Sequence, residues 1–241
     1  MKAYLSDPFK KRIYNKWLFK HVSKHYNSIT GPLSFFRDTA WKMELISSIP
    51  DSIGVEEGIA LDIATGNGTL AVSFKNRFPR FKVIGADLSI DMLKLAFSQS
   101  LQKRIIFTLQ DLCYFACKSC TIDCITGGYA LRNAPDLRTS IKEIHRVLKK
   151  DGVACFLDFS RSHRKLLSIF NYCMLKIWGS FWGLILLGKP QVYGYIADSL
   201  IAYPDRQELH RMFSEEGFSV LQSRLRFFGF IELLVLQKTA E

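Results

Sequence analysis

The sequence has little acidic charge, no apolar leader, and no repeated or low-complexity segment. It contains 22 acidic against 33 basic residues in 241, a formal net charge of +11. Its first residues, MKAYLSDPFKKRIY, are polar and basic and lack the apolar stretch of a secretion signal. We therefore expect a cytoplasmic protein whose six cysteines are reduced thiols, not a disulfide framework. The absence of linkers indicates one domain over residues 1–241.

Basic residues are concentrated near the start of the chain. Residues 1–46 contain nine lysines and arginines against three acidic residues, which is more than half of the net charge. Aromatic residues are interleaved with these charges: Tyr4, Phe9, Tyr14, Trp17 and Phe19. Such a segment is compatible with contact to anionic lipid, with nucleic-acid binding, or with a solvated helix packed on the core.

Short apolar runs alternate with helical stretches from residue 59 onward. The runs predict five strands, over 59–64, 81–88, 104–111, 122–128 and 152–159. Apolar residues recur at helical spacing between them, over 68–78, 89–102 and 137–150. This alternation favours right-handed βαβ units and a parallel, doubly wound α/β sheet. The sequence KKDG before the fifth strand is a turn signal.

The last part of the chain follows a different pattern. Residues 204–217 predict a helix with Pro204 at its start and Gly217 just past its end. Two strands are expected after it, 218–228 and 230–238. The sheet then has seven strands, and the last two form an antiparallel hairpin at its edge.

One segment approaches the length of a membrane span. Residues 166–187 contain a single charged residue, Lys176. A transmembrane helix at this point would separate residues 204–241 from the sheet that they should complete. We therefore favour a hydrophobic helical cap over the site, in a position compatible with lipid contact.

The segment LDIATGNGTLA carries the clearest chemical signal. Gly66 and Gly68 fit a nucleotide-binding loop, and Asp87 ends the next predicted strand. A carboxylate at Asp62 would repel a pyrophosphate, but it suits the ammonium and sulfonium groups of S-adenosylmethionine. The pattern Asp62-x-Ala64-x-Gly66-x-Gly68 is therefore interpreted as the methyltransferase form of the loop.

Further cofactor contacts are expected at the carboxyl ends of the parallel strands, where ligands bind in such folds. Asp87 is expected to accept from the ribose hydroxyls and Asp111 from the adenine amino group. Gly127 and Gly128 are expected to let the main chain approach the methionine moiety. The predicted cofactor contacts are Asp62, Ala64, Gly66, Asn67, Gly68, Asp87, Leu88, Asp111, Leu112, Gly127 and Gly128.

The cysteines in CYFACKSC have a spacing that radical enzymes use to hold an iron–sulfur cluster. Cys113, Cys117 and Cys120 form this motif, and Cys124 would complete a zinc site. Asp111 directly before the motif is already assigned to adenine. Cys124 alternates with apolar residues in a predicted buried strand, where a thiol behaves as a small hydrophobe. We therefore expect no metal site.

A more extensive similarity begins at GGYALRNAPDLRTSIKEIHRVLKKDG. This run resembles the C-methyltransferases of menaquinone and ubiquinone biosynthesis, a family that includes the plant enzyme acting on a phytyl-naphthoquinone. YALRN (129–133) corresponds to their aromatic-Gly-Leu-Arg-Asn run, and Tyr26 and Trp41 stand at marker positions of their N-terminal segment. The resemblance extends over about residues 22–238. The sequence departs from the family pattern at Thr69, where aspartate is usual.

The resemblance implies a Rossmann-like class I methyltransferase. The sheet would have the strand order 3-2-1-4-5-7-6, with helices on both faces. The single domain would comprise an N-terminal helical lid (1–50), a cofactor-binding core (59–160), a helical cap insert (161–203), and a last helix with a C-terminal hairpin (204–241).

The resemblance also implies a reaction: methyl transfer from S-adenosylmethionine, without a metal, to a ring carbon of a lipophilic prenylated quinol. A neutral ring is a poor nucleophile, so one of its hydroxyls must be ionised or hydrogen-bonded. Arg132 is expected to orient or activate that hydroxyl. Asn133 and Tyr26 are expected to position the ring and a helix over 131–147, and Asp158 to face the acceptor.

Other interpretations of these residues stay open. Arg132 could form a structural salt bridge, Asn133 a helix N-cap, and Asp158 a cap of the next helix. Tyr129 and Tyr195 are candidate pocket walls. Alternative activities are O- or N-methylation of another small molecule and, less favoured, methylation of RNA. We expect peripheral membrane contact and no nucleic acid, and a homodimer is compatible with the sequence.

Overall fold

The computed structural model describes residues 7–23, 26–54, 57–162, 165–187 and 197–239. Its centre is a single seven-stranded sheet. The strands are β1 Ile59–Ile63, β2 Lys82–Asp87, β3 Ile106–Leu109, β4 Ile122–Gly128, β5 Leu148–Phe159, β6 Phe218–Arg226 and β7 Ile231–Lys238. Their order is β3-β2-β1-β4-β5-β7-β6, which confirms the predicted fold class.

The pairing directions explain where a ligand site forms. Neighbouring strands from β3 through β5 pair in parallel, whereas β7 pairs antiparallel with both β5 and β6. The chain runs outward from β1 to β2 and β3, then returns to β4 on the other side of β1. The crevice at the carboxyl ends of β1 and β4 is therefore a topological switch point, which is the usual ligand position in open α/β sheets.

Eight α-helices of eight or more residues surround the sheet in the described part of the chain. They are α1 Pro8–Val22, α2 Tyr26–Leu33, α3 Asp38–Ser47, α4 Thr69–Arg77, α5 Ile90–Gln99, α6 Leu137–Val147, α7 Lys165–Leu187 and α8 Arg206–Glu215. Residues 197–201 are also helical. Two short 3-10 turns complete the set, Asp51–Gly54 and Phe227–Gly229.

The helix expected over 131–147 begins later, at Leu137. Asp136 is its N-cap, since the Asp136 carboxylate accepts from the Thr139 backbone N–H. Pro135 just before the cap disfavours a helical conformation at Ala134. Residues 129–133 consequently form a tight turn between β4 and α6, and this turn carries the predicted acceptor residues.

Strand β5 begins at Leu148, earlier than the predicted Gly152. The residues of KKDG, 149–152, form a bulge inside β5 and do not form a turn before it. The β4–β5 register shifts at this point, between Ile122 and Cys124 of β4. Asp151 has a φ of +62° at this point. A bulge of this kind bends the strand without ending it.

The cysteines of CYFACKSC are distributed between the core and the surface. Cys124 lies fully buried in β4, as predicted, and Cys113 is buried near the start of α6. Cys120 is exposed. In the described ranges, no three His, Cys, Asp or Glu side chains are grouped as metal ligands would be.

Residues 166–187, whose length approaches that of a membrane span, form helix α7. In the part of the chain that the structure describes, no helix meets the length and hydropathy of a bilayer-spanning segment. Helix α7 packs against α2, and the Trp178 indole N–H donates to the Pro32 carbonyl at 3.1 Å.

Candidate active site

A cavity opens at the carboxyl ends of β1, β2 and β4. The open space in it and at its mouth is about 1260 Å³. Helices α1 and α2 form its roof, and no described residue of α7 lines it. The lining residues are Asn15, Leu18, Phe19, Val22, Tyr26, Thr30, Leu33, Ser34, Trp41, Ala64, Gly66, Asp87, Leu88, Asp111, Leu112, Gly128, Tyr129, Arg132, Asn133, Pro135 and Phe159.

The loop from β1 to α4 forms the floor of the cavity. Gly66 and Gly68 have φ angles of +56° and +77°, a region that glycine enters without steric cost. Gly68 directly precedes α4, and a Cβ there would lie 3.1 Å from the Ala96 side chain. The Asn67 side chain turns away to accept from Thr69 Oγ1 at 2.7 Å. Asn67 and Gly68 thus shape the loop but are not among the lining residues.

Ala64 at the start of the loop has a φ of +48°, which strains a residue that carries a Cβ. We expect Ala64→Gly to stabilise the protein by about 1 kcal/mol, a rise of roughly 2–4 °C in the midpoint of thermal unfolding. Ala60→Gly is the matched control: Ala60 is buried in β1, the strand that leads to Ala64, and has no positive φ. Its midpoint should fall, and an equal fall in Ala64→Gly would contradict the strain argument.

Asp87 ends β2 and faces the cavity. Its carboxylate accepts from the backbone N–H groups of Gly66 at 2.9 Å and Ser89 at 2.8 Å. A carboxylate has about four lone-pair sites, so these bonds leave capacity to accept from a ribose hydroxyl. Burial raises the pKa of Asp87 to about 6, although the backbone N–H groups of Ser89, Gly66 and Leu88 lower it. These features fit the predicted ribose contact.

Asp62 lies beneath the loop and is not a lining residue. Its carboxylate accepts from Thr65 Oγ1 at 2.5 Å and from Thr126 Oγ1 at 2.7 Å. Burial raises the pKa of Asp62 to about 6, although both hydroxyls and the Lys42 ammonium lower it. Asp62 therefore joins the loop to β4, and its direct contact with a ligand stays a prediction.

Asp111 lines the cavity together with Leu112, as expected for an adenine contact. One Asp111 oxygen accepts from the Cys113 N–H at 2.9 Å, and the other pairs with the Arg12 guanidinium of α1. The ion pair ties the roof to the predicted adenine position. Sequence reasoning did not assign Arg12 any role, because the pattern within a helix does not say which carboxylate it will meet.

The two glycines that end β4 differ in their surroundings. Gly128 lines the cavity. Gly127 is not a lining residue, and a Cβ on it would approach Ile63, Ala130 and Phe156 at 3.0–3.2 Å. Core packing therefore favours glycine at 127. Leu88, the residue after Asp87, lines the cavity, and its contact with a cofactor stays a prediction.

Arg132 lines the cavity from the turn between β4 and α6. It is almost fully buried, with 5% of its surface exposed. Its guanidinium donates to Ser199 Oγ and lies 5.0 Å above the centre of the Phe159 ring. Its backbone N–H donates to the Asp158 carboxylate at 3.1 Å. Asp158 is buried below this turn and is not a lining residue, and burial raises its pKa.

Asn133 and Tyr26 complete this wall. The Asn133 amide donates to the Tyr129 carbonyl at 2.8 Å, so Asn133 bridges the turn and does not cap α6. Tyr26 approaches the glycine loop from α2: a Cβ on Gly66 would lie 3.5 Å from the Tyr26 hydroxyl. Burial raises the pKa of Tyr26, which keeps it a neutral phenol. Tyr195 lies outside the described residues.

A buried ion pair behind Tyr129 was not anticipated. The Tyr129 hydroxyl donates to Asp38 at 3.0 Å, and Lys42 pairs with Asp38 at 2.9 Å. The i, i+4 spacing of Asp38 and Lys42 is visible in the sequence, but it is equally typical of exposed helical pairs. Only the packing of α3 against the sheet places both groups in the interior.

Two further α1 side chains hold the acceptor turn. Lys11 Nζ donates to the Arg132 carbonyl at 3.0 Å, and Asn15 Nδ2 donates to the Asn133 carbonyl at 2.7 Å. Burial, with a contribution from the Arg132 charge, lowers the pKa of Lys11 to about 8. Helix α1 is thus bonded to two of the four predicted catalytic residues, Arg132 and Asn133, through their main chain.

The fold and the site together define an S-adenosylmethionine-dependent methyltransferase of the Rossmann-like class. The chain matches the model of the ubiE/COQ5 methyltransferase family over residues 9–233, and it belongs to that family. A ubiquinone/menaquinone biosynthesis C-methyltransferase from Syntrophotalea carbinolica is 30% identical over 213 residues, 86% of each chain. A demethylmenaquinone methyltransferase from Roseiflexus castenholzii is 25% identical over 222 residues, 92% of each chain.

Solved structures share the fold. An S-adenosylmethionine-dependent methyltransferase from Thermotoga maritima has a TM-score of 0.64 at 16% identity, covering 92% of this chain and 99% of its own. The magnesium protoporphyrin IX methyltransferase from Synechocystis, solved with bound SAH, has a TM-score of 0.60 at 14% identity over 83% of each chain.

Proposed function

We propose that this methyltransferase adds a methyl group to a ring carbon of a prenylated hydroquinone, in the biosynthesis of a menaquinone- or ubiquinone-type quinone. S-adenosylmethionine, when bound, supplies an electrophilic methyl group on its sulfonium. The chain's own residues must then hold the ring in line, keep water away and make the ring electron-rich. The family and the activities named for its relatives support this substrate class.

Two unpaired polar atoms carry the proposal. Arg132 Nε and Asn133 Oδ1 are both buried and, within the described ranges, have no hydrogen-bond partner. Both residues line the cavity. A ring hydroxyl satisfies the two atoms at once, since its oxygen accepts from Nε and its proton is donated to Oδ1. The guanidinium then stabilises the negative charge that the hydroxyl oxygen keeps while the ring carbon attacks the methyl group, and this makes the ring a better nucleophile.

The other groups around the ring position are suited to binding it. Burial raises the pKa of Tyr129 well above its usual range, so this residue is a neutral phenol. The Lys42 ammonium is engaged by Asp38, and Lys11 Nζ donates to the Arg132 carbonyl. Among the described residues that line the cavity, Arg132 is the one cation. Apolar side chains form the rest of the wall and suit a prenyl chain: Leu18, Phe19, Val22, Leu33 and Trp41.

The position of the transferred methyl group tests the proposal. Purified protein is incubated with methyl-labelled S-adenosylmethionine and a short-chain prenylated naphthohydroquinone that lacks the ring methyl group, kept reduced. We expect the label on the ring carbon by NMR, and no product from the same quinone kept oxidised, because that form has no hydroxyl to ionise. Label on an ether oxygen would support O-methylation instead, and label in added RNA would support the nucleic-acid alternative.

A further inference from the structure

One face of α7 exposes a row of large apolar side chains. They are between 50% and 85% exposed: Leu166, Ile169, Phe170, Ile177, Phe181, Leu184 and Ile185. Because they recur mainly at three- and four-residue intervals, they follow one face over roughly 28 Å of helix. No acidic residue occurs between positions 165 and 187. Soluble monomers rarely expose a continuous apolar patch of this size.

Two turns beside this face hold phenylalanines in a strained conformation. Phe36 is 78% exposed at a φ of +59°, and Phe228 is 86% exposed at a φ of +55°. Positive φ is unfavourable for a bulky residue, and glycine or asparagine would relieve it. Neither ring gains burial in exchange. Strain that presents large apolar groups to solvent is an observation that points to a binding role.

Ring contacts join the two turns to α7 and to the cavity. Phe35 stacks on Trp178 of α7 with centroids 4.7 Å apart, and Phe35 meets Phe227 at 4.5 Å. Phe227 in turn lies 6.1 Å from Trp41, which lines the cavity. The exposed aromatic surface is therefore continuous with the apolar wall of the site.

We propose that the outer face of α7, together with Phe36 and Phe228, docks the enzyme on an anionic lipid bilayer, and that the prenyl chain enters the cavity beside Trp41. The entry of the chain rests on the proposed function, whereas the docking itself does not. The net charge of +11 is attracted to an anionic surface, and exposed Arg37 directly follows Phe36. A second copy of the chain carries the same positive charge, so a bilayer is the better complement.

Vesicle binding tests the docking surface. We compare the wild type with Phe36→Asn/Phe228→Asn by flotation on vesicles of phosphatidylcholine and phosphatidylglycerol at 7:3. The double variant should bind at least about tenfold more weakly, because two exposed rings no longer enter the lipid. Its thermal midpoint should stay level or rise, because asparagine relieves the positive φ at both sites. A loss of binding with a preserved midpoint is an outcome that misfolding does not produce.

Phe97→Asn is the matched control, since Phe97 is 60% exposed on α5 and has no positive φ. It should bind vesicles as the wild type does. Equal binding of the double variant and the wild type, or no binding by the wild type, would overturn the proposal. A wild-type dimer that the double variant converts to monomer, measured by light scattering, would assign this surface to self-association. Methylation of the short-chain quinol is scored separately, so failure of docking and failure of the proposed function are distinguishable.

Discussion

Replacement of Arg132 by lysine should lower kcat at least about 100-fold while leaving the affinity for S-adenosylmethionine unchanged. The Arg132 guanidinium is held by Ser199 and by the face of Phe159, and its Nε has no partner among the described residues. A lysine has one compact ammonium and cannot occupy all of these positions. Loss of a preorganised donor to a developing negative charge typically costs 10²–10³ in rate. Single-turnover methylation of the quinol measures the effect.

Ser199→Ala is the control for this substitution. It removes one contact of the guanidinium but leaves Nε in place, so the loss should stay below about tenfold. Cofactor affinity, measured by calorimetry, separates a fault in acceptor activation from a fault in folding. If the lysine variant keeps wild-type kcat, Arg132 has a structural role and the hydroxyl is activated elsewhere.

The fold was largely predictable because its strands are short apolar runs separated by clear turn signals. The switch point between β1 and β4 follows from the chain order alone. Gly66 and Asp87 line the cavity at this point, and their contacts with a cofactor stay predictions. Boundaries were less predictable. The apolar spacing begins at 137, where α6 begins, but it continues to 150, whereas α6 ends at Val147 and β5 begins at Leu148.

The rest of the site depends on tertiary packing, which a sequence pattern does not specify. The sequence of helix α1 is typical of a basic surface helix. In the structure, Lys11 and Asn15 donate to the acceptor turn, and Arg12 pairs with Asp111. The position of Gly127 at the end of β4 predicts a ligand contact, but its neighbours in space are core side chains. In both cases the residue type is compatible with two roles, and only the distance to a partner from another element separates them.

Cofactor affinity should fall as the pH falls below 6, and Asp87 should account for much of the change. Burial raises the pKa of this carboxyl from 3.8 to about 6 in the free protein. The free energy of unfolding of the cofactor-free protein therefore falls as the pH rises from 4 to 6, because Asp87 must ionise in a buried position. Ribose hydroxyls would donate to the ionised form and lower its pKa. Bound cofactor then competes with protons, and affinity should weaken about tenfold from pH 7.5 to pH 5.

Asp87→Asn provides the decisive comparison, because the amide keeps the shape but neither ionises nor accepts on both sides. We expect its cofactor affinity at pH 7.5 to fall about 100-fold, since hydrogen bonds to a charged group contribute about 1.5–3 kcal/mol each. The remaining pH dependence should be shallower and should reflect Asp62, whose pKa burial also raises to about 6. Asp91→Asn, in the first turn of the next helix, should change neither quantity. A variant at Asp87 that keeps both the affinity and the full pH dependence would assign the ribose contact to another residue.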